Sequence, residues 1–177
     1  MSLLGSVVEA LRRERVPHAL IGAAAMAIHG VSRSTGDIDL LTIDTGVLRK
    51  ELWASIERAG ATLRIVAGDA DDPLAGSVRL TDGNQIVDVV VGRGTWQREA
   101  IETAVPSLIG DVEVAVARLG ALVLLKLYAG GPKDAWDIRS LLEVVDDEPA
   151  LRAEIERTLP HLGADAGRLW RRLKNER

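Results

Sequence analysis

The sequence predicts an α+β domain, in which a mixed, twisted β-sheet is flanked by helices and followed by a helical C-terminal tail. Up to about residue 145, short apolar runs of strand type are interspersed with segments of helical spacing. Residues 146–177 carry helical spacing only, and we assign them to the tail of the same domain. With 177 residues, 47% of them apolar, the chain can bury a core of its own.

We predict the helices and strands from the spacing of apolar residues and from the proline and glycine residues that end a helix. Pro17, Gly30 and Gly60 each close a helical segment, and the break 130–132 (Gly-Gly-Pro) separates two others. Residues 81–84 (Thr-Asp-Gly-Asn) indicate a hairpin turn. The predicted helices are 3–15, 23–28, 47–59, 118–129, 134–145, 148–158 and 163–175, and the predicted strands are 18–22, 37–43, 62–66, 77–80, 86–91 and 112–117.

Composition narrows the class of protein. The absence of cysteine excludes disulfides and thiolate metal sites and favours a cytoplasmic location. No apolar run approaches the roughly 20 residues of a membrane span, so no membrane partner is expected. The net charge of −4 argues against an extended nucleic-acid surface while leaving room for a local basic groove.

Three aspartates carry the strongest chemical signal. Asp37 and Asp39 are one residue apart at the start of an apolar strand, so their side chains point to the same face. Asp88 interrupts another apolar strand. If the two strands are neighbours, the three carboxylates converge, and oxygen-only ligation suits Mg²⁺ or Mn²⁺. The alternatives are an ordinary surface D-x-D pair, and for Asp88 a salt bridge to Arg33 or Arg79.

Two further segments fit phosphate chemistry. Gly22 allows a close backbone approach before the helix that starts at Ala23, and the loop 32–35 supplies hydroxyls and the Arg33 guanidinium. Lys126 lies within an apolar helix face, where a lysine either reaches out to water or meets an anion. Lys133 begins the next helix, in which Asp134 could simply be an N-cap.

The order of these motifs resembles the minimal nucleotidyltransferases of the DNA polymerase β-like fold, in particular the group related to the abortive-infection AbiEii toxins. The first motif runs from the Gly22 turn through a small-residue helix and His29-Gly30 to Arg33-Ser34-Thr35-Gly36-Asp37-Ile38-Asp39. The second runs from Lys126 to the D-x-x-D pair Asp134 and Asp137. Where the family usually has Gly or Ser, this chain has Ala23, which keeps the backbone N–H but lacks a hydroxyl.

The resemblance implies a role for each matching residue. Asp37, Asp39 and Asp88 would be metal ligands, with Asp88 also a candidate base for the incoming hydroxyl. The implied nucleotide-binding residues are Gly22, Ala23, Arg33, Thr35, Lys126 and Lys133. The implied reaction moves a nucleoside monophosphate from an NTP, expected to be ATP, to a hydroxyl of a protein, an RNA such as tRNA, or a small molecule.

Two other functions stay open on the sequence. One is a weakly active or inactive relative that serves as a binding or antitoxin-like partner, which Ala23 and the short chain favour. The other is a small-molecule kinase, which would transfer the γ-phosphate instead. A cognate toxin or antitoxin and a second copy of the chain are the protein partners considered.

Overall fold

The computed structural model describes residues 2–32 and 36–175 and confirms the α+β class. Its core is a seven-stranded mixed sheet in the order β3-β4-β5-β2-β1-β7-β6, in which β2 and β5 are parallel, as are β1 and β7, and the other pairs are antiparallel. The strands are β1 (Ala19–Ile21), β2 (Asp37–Thr42), β3 (Thr62–Ala67), β4 (Gly76–Asp82), β5 (Gln85–Val91), β6 (Val105–Ile109) and β7 (Val112–Val116).

The helices flank this sheet and continue beyond it as the tail. They are α1 (Leu3–Arg13), α2 (Gly22–Ile28), α3 (Ala54–Arg58), α4 (Thr95–Glu102), α5 (Leu119–Ala129), α6 (Pro132–Glu143), α7 (Glu148–Thr158) and α8 (Ala164–Asn175). No helix within the described ranges is both long and apolar enough to cross a bilayer.

One face of the sheet is closed by α1. Its apolar residues, spaced three and four apart, are buried against β4, β5 and β7, and its Leu3 N–H donates to Gln85 Oε1 at 2.8 Å. Alternate residues of the central strands, such as Leu40, Leu80 and Val89, are fully buried. Because strand side chains alternate, the residues between them point to the opposite face.

The C-terminal tail packs on α5. Both α7 and α8 contact that helix, and Trp170 of α8 is buried with its indole N–H donating to Glu156 Oε1 at 3.2 Å. The Arg152 guanidinium lies 5.3 Å from the centre of the Trp170 ring. The last part of the chain is therefore helical, as expected, whereas a division at residue 145 stays a prediction.

The predicted helix over 47–59 is wrong for most of its length. Two 3₁₀ turns, Thr45–Leu48 and Lys50–Trp53, precede the short α3. The reason is local, because Asp44 accepts a hydrogen bond from the Gly46 N–H and the buried Trp53 indole donates to the Val47 carbonyl at 2.7 Å. These bonds favour 3₁₀ turns, which are wound more tightly than the α-helix that the apolar spacing indicates.

Two elements have no counterpart in the sequence prediction. Helix α4 follows β5, and strand β6 pairs with β7 at the edge of the sheet. Pro106 lies inside β6, and a proline argues against a central strand but is tolerated at an edge. Of these two elements, α4 is the one that reaches the site, because its Gln97 lines the cavity there.

Candidate active site

The three aspartates lie on the open face of the sheet. Since β2 and β5 are parallel neighbours, Asp39 is directly opposite Asp88, and Asp37 lies two residues earlier on the same face of β2. The Asp88 side chain is 15% exposed and that of Asp37 is 39% exposed. The structure thus brings together the three carboxylates that the sequence expected to converge.

The surroundings of Asp39 disfavour its charged form. Burial, followed by repulsion from Asp88 and Asp37, raises the pKa of Asp39 to about 6, although Lys126 and Arg79 act in the opposite direction. Gly22 makes room for this carboxylate, because a Cβ at that position would overlap Asp39 Oδ2. Gly22 also has a φ of +67°, which disfavours any other residue.

A guanidinium from the next strand holds two of the carboxylates. Arg79 on β4 is the register partner of Asp88 and donates from Nε to Oδ1 at 2.8 Å and from Nη2 to Oδ2 at 2.6 Å. The same Nη2 lies 3.5 Å from Asp37 Oδ2. We call Arg79, Asp88 and Asp37 the Arg79 cluster. The salt-bridge alternative for Asp88 is therefore present, with half of the Arg79 side chain exposed.

A second cation is enclosed by two acids of α6. Lys126 Nζ on α5 lies 2.6 Å from Asp137 Oδ2 and 3.0 Å from Asp134 Oδ1. Burial alone would lower the pKa of Lys126, but the hydrogen bonds to Asp137 and Asp134 outweigh it and raise that pKa. Asp134 also accepts from the Gly131 N–H at 2.7 Å, which fixes the start of α6. We call Lys126, Asp134 and Asp137 the Lys126 cluster.

A cavity of about 340 Å³ lies between the sheet, α4 and α5. Its polar wall is formed by Gly22, Asp39, Lys126 and Asp134, and the rest is mostly apolar. Tyr128 closes one side, with its hydroxyl donating to the Pro73 carbonyl at 2.9 Å. A ligand with an apolar part and a polar end matches these walls.

Gln97 of α4 also lines this cavity and is missing from the sequence prediction. Its Oε1 accepts from the N–H groups of Arg93 and Gly94 at 2.8 and 2.7 Å, which fixes the orientation of the amide. Its buried Nε2 has no hydrogen-bond partner within the described residues. Gly92 leaves the space for the amide, since a Cβ there would meet Gln97 Oε1 at 2.5 Å. The pair of glycines before α4 is the sequence signal that points to this arrangement.

A second cavity, of about 360 Å³, opens on the other side of Asp39. It shares Asp39 and Val90 with the first cavity, and its charged residues are Arg64, Arg79 and Asp88. Arg64 is the register partner of Arg79 on β3. Asp39 therefore lies where two cavities of different polarity meet, and Asp88 lines the second of them.

Some predicted residues fall elsewhere. Ala23 is buried as the second residue of α2. Lys133 is exposed at the start of α6 and does not line either of the two cavities beside Asp39. Arg33 and Thr35 lie outside the described residues.

The donor set can be tested against a divalent cation. Carboxylate oxygens are the ligands that Mg²⁺ and Mn²⁺ prefer, and the charged Asp39 is electrostatically disfavoured without a neighbouring cation. Asp37 and Asp39 fit this role. No group of three acidic or histidine side chains in residues 2–32 and 36–175 is arranged to hold one ion together, and Asp88 is bound to Arg79.

Comparison with known proteins identifies the family. The model of the family described as "Nucleotidyl transferase AbiEii toxin, Type IV TA system" matches residues 7–175. The chain belongs to this AbiEii family. It is therefore a nucleotidyltransferase, as the motifs indicated. No curated protein sequence matches the chain.

Solved structures share the fold of this AbiEii-family chain. The antibiotic-resistance factor ANT(2'')-Ia, solved with adenylyl-2''-tobramycin, has a TM-score of 0.54 and 20% identity, covering 88% of this chain and 95% of that one. The lincomycin-bound lincosamide antibiotic adenylyltransferase LnuA has a TM-score of 0.52 and 14% identity, covering 80% and 96%. A nucleotidyltransferase-like protein from Paracoccidioides brasiliensis has a TM-score of 0.51 and 19% identity, covering 93% and 90%. At these identities the likeness concerns the fold.

Proposed function

We propose that this chain transfers a nucleoside monophosphate from an NTP to a hydroxyl group in a reaction that depends on Mg²⁺ or Mn²⁺. The observation that carries this proposal is the placement of Asp37, Asp39 and Asp88 on one open face beside Gly22. Membership in the AbiEii family supports the reaction class. ATP is the proposed donor, in line with the adenylyl group of the ANT(2'')-Ia complex.

The reaction joins the acceptor oxygen to the α-phosphorus and breaks the bond from that phosphorus to the bridging oxygen. Pyrophosphate leaves, and Asp88 accepts the proton of the acceptor hydroxyl. A divalent ion on Asp37 and Asp39 would neutralise charge on the phosphates and on the attacking oxygen. The charge on the phosphates and on the attacking oxygen would develop beside Asp39, the residue at which the two cavities meet.

Lys126 orients the donor in this proposal. Two of the three N–H donors of its ammonium face Asp134 and Asp137, which leaves one for a phosphate oxygen in the cavity. Gly22 offers backbone at the same end, and the apolar wall beyond it suits the base of the nucleotide, while a backbone contact from Ala23 stays a prediction. Lys133, Arg33 and Thr35 keep their proposed phosphate contacts as predictions.

The biological setting is also proposed. The family belongs to type IV toxin–antitoxin systems, so a cognate antitoxin is the expected partner. The molecule that receives the nucleotide would then be a macromolecule or a small molecule of the cell. We infer a cytoplasmic site of action because NTPs are found there. A second copy of the chain is a further possible partner to be tested by mass measurement in solution.

The experiment incubates the protein with Mg²⁺ and each α-labelled NTP, with bulk tRNA or a cell lysate as the source of acceptor. The comparison variant is Asp37→Ala/Asp39→Ala. The matched control is Asp82→Ala/Asp111→Ala, which removes two exposed aspartates near hairpin turns. We expect label on an acceptor with the wild type and the control, and none with the site variant.

Parallel reactions with γ-labelled NTP separate the alternatives. Transfer of the γ-label would make the chain a kinase. If no label is transferred and Mg²⁺ with NTP does not raise the melting temperature, the chain is instead a binding partner that retains the fold.

A further inference from the structure

Arg79 binds the proposed base, Asp88, and also lies close to Asp37, one of the two carboxylates proposed to hold the metal ion. It donates to both oxygens of Asp88, at 2.8 and 2.6 Å, and its Nη2 lies 3.5 Å from Asp37 Oδ2. A guanidinium bound in this bidentate way matches the planar carboxylate and brings a full positive charge to it. A divalent cation on Asp37 and Asp39 would be repelled by that charge next to Asp37, so the two cations compete.

The surroundings allow Arg79 to leave. Half of its side chain is exposed, and it borders the 360 Å³ cavity. The carboxylates among the residues that line this cavity are Asp39 and Asp88. Water and salt therefore reach the guanidinium and weaken its ion pair, although the Asp88 side chain itself is only 15% exposed. Lys126 differs in this respect, because two acids of α6 enclose it and only 18% of its side chain is exposed.

We propose that Arg79 is a positioning residue that holds Asp88 and Asp37 until a divalent cation displaces it. In the held form both oxygens of Asp88 accept hydrogen bonds from the guanidinium, so an acceptor hydroxyl has to compete with Arg79 for the base. Metal loading therefore releases the base, while the freed guanidinium stays beside the second cavity that it already lines. This inference rests on the proposed function, since it assumes that the aspartates bind metal.

Metal binding without NTP tests the competition directly. Mn²⁺ is titrated into the full chain and the free ion is followed by electron paramagnetic resonance. Arg79→Gln removes one positive charge and the bidentate contact. Arg64→Gln is the matched control, because it removes the same charge from the register neighbour in the same cavity and has no hydrogen bond to Asp37 or Asp88 among those of the described residues. Arg79→Lys keeps the charge and loses the fork.

Direct competition predicts an ordered result. Arg79→Gln should bind Mn²⁺ about tenfold more tightly than the wild type, and Arg64→Gln about twofold at most, since it acts only through the field. Arg79→Lys should lie between the wild type and Arg79→Gln. Equal gains in Arg64→Gln and Arg79→Gln would overturn the proposal, because the effect would then be general electrostatics.

The release of the guanidinium can also be observed. The Arg79 Nε–H resonance is assigned in ¹⁵N spectra by its loss in Arg79→Lys, and Mg²⁺ is then added to the wild type. We expect the resonance to shift toward those of exposed arginines as the metal binds. A resonance that stays in place while metal binds would overturn the proposal alone. Absence of any metal binding that Asp37→Ala/Asp39→Ala abolishes would overturn the proposed function as well.

Discussion

The Arg79 cluster and the Lys126 cluster use the same chemistry, one basic side chain between two carboxylates, in different surroundings. In the Arg79 cluster the cation is half exposed and links neighbouring strands. In the Lys126 cluster the cation is 18% exposed and the Asp137 carboxylate 1%, and the contacts join α5 to α6 across the Gly130-Gly131 break. Both clusters act electrostatically on Asp39.

This difference indicates that burial decides which cluster supports the fold and which can exchange partners. A buried pair leaves a desolvated charge behind when one member is removed, whereas an exposed pair returns its charges to water. The Lys126 cluster should therefore behave as a structural element that also borders the site. The Arg79 cluster should behave as a reversible contact.

The largest expected effect is the loss of the Lys126 cation. Lys126→Met keeps the length of the side chain but removes the 2.6 Å charged contact to the buried Asp137 carboxylate, so the free energy of unfolding should fall by about 3–5 kcal/mol. Urea denaturation measures this. Lys133→Met is the matched control, because Lys133 is exposed nearby, and its change should stay within about 0.5 kcal/mol. A loss below 1 kcal/mol in Lys126→Met would show that the buried cluster is no more structural than the exposed one.

The next effect concerns Asp39, which neither cluster neutralises. Its pKa is raised to about 6 from 3.8, so the folded state binds this proton more tightly than the unfolded state. The corresponding stabilisation is complete below the unfolded pKa and is lost as the pH rises through 6. The ionised carboxylate then costs up to about 3 kcal/mol at pH 7.5, a cost that Asp39→Asn removes.

Denaturation in EDTA at pH 4.5 and pH 7.5 checks this sign. Asp39→Asn should be more stable than the wild type at the higher pH, and most of the difference should disappear at the lower pH. The exposed Asp111→Asn serves as the control and should show no such dependence. Mg²⁺ should recover stability in the wild type at pH 7.5 but not in Asp39→Asn. A difference independent of pH would mean that neither burial nor the neighbouring carboxylates raise the pKa of Asp39.

Much of the site is readable from the sequence because strand alternation is strict. The D-x-D spacing places Asp37 and Asp39 on one face, and the apolar run around Asp88 marks a central strand. The register of Arg79 is not readable in the same way. The turn predicted over residues 81–84 would pair Thr81 with Asn84 and place Arg79 opposite Ile86. In the structure Asp82 pairs with Gln85 instead, and this shift of one residue on each strand places Arg79 opposite Asp88.

Other features depend on tertiary geometry. The contact between Lys126 and Asp137 requires the angle between α5 and α6, which the Gly-Gly-Pro break permits but does not specify. The position of α4 over the sheet, and with it Gln97 in the cavity wall, depends on packing against β2. Strand β6 is not predicted because it contains Pro106, and sequence patterns alone do not distinguish an edge strand with a proline from a loop.

The smallest expected effect is on the exposed cluster. Arg79→Gln should change the free energy of unfolding by about 1 kcal/mol or less, because its guanidinium is half exposed and water replaces the lost contacts. Part of even this change should disappear in 0.5 M NaCl, since exposed charges are screened. Urea denaturation of the wild type and Arg79→Gln at low and high salt gives both values. A salt-independent loss of several kcal/mol would place Arg79 with Lys126 as a structural cation, and the proposed exchange with a metal ion would then be too costly to occur.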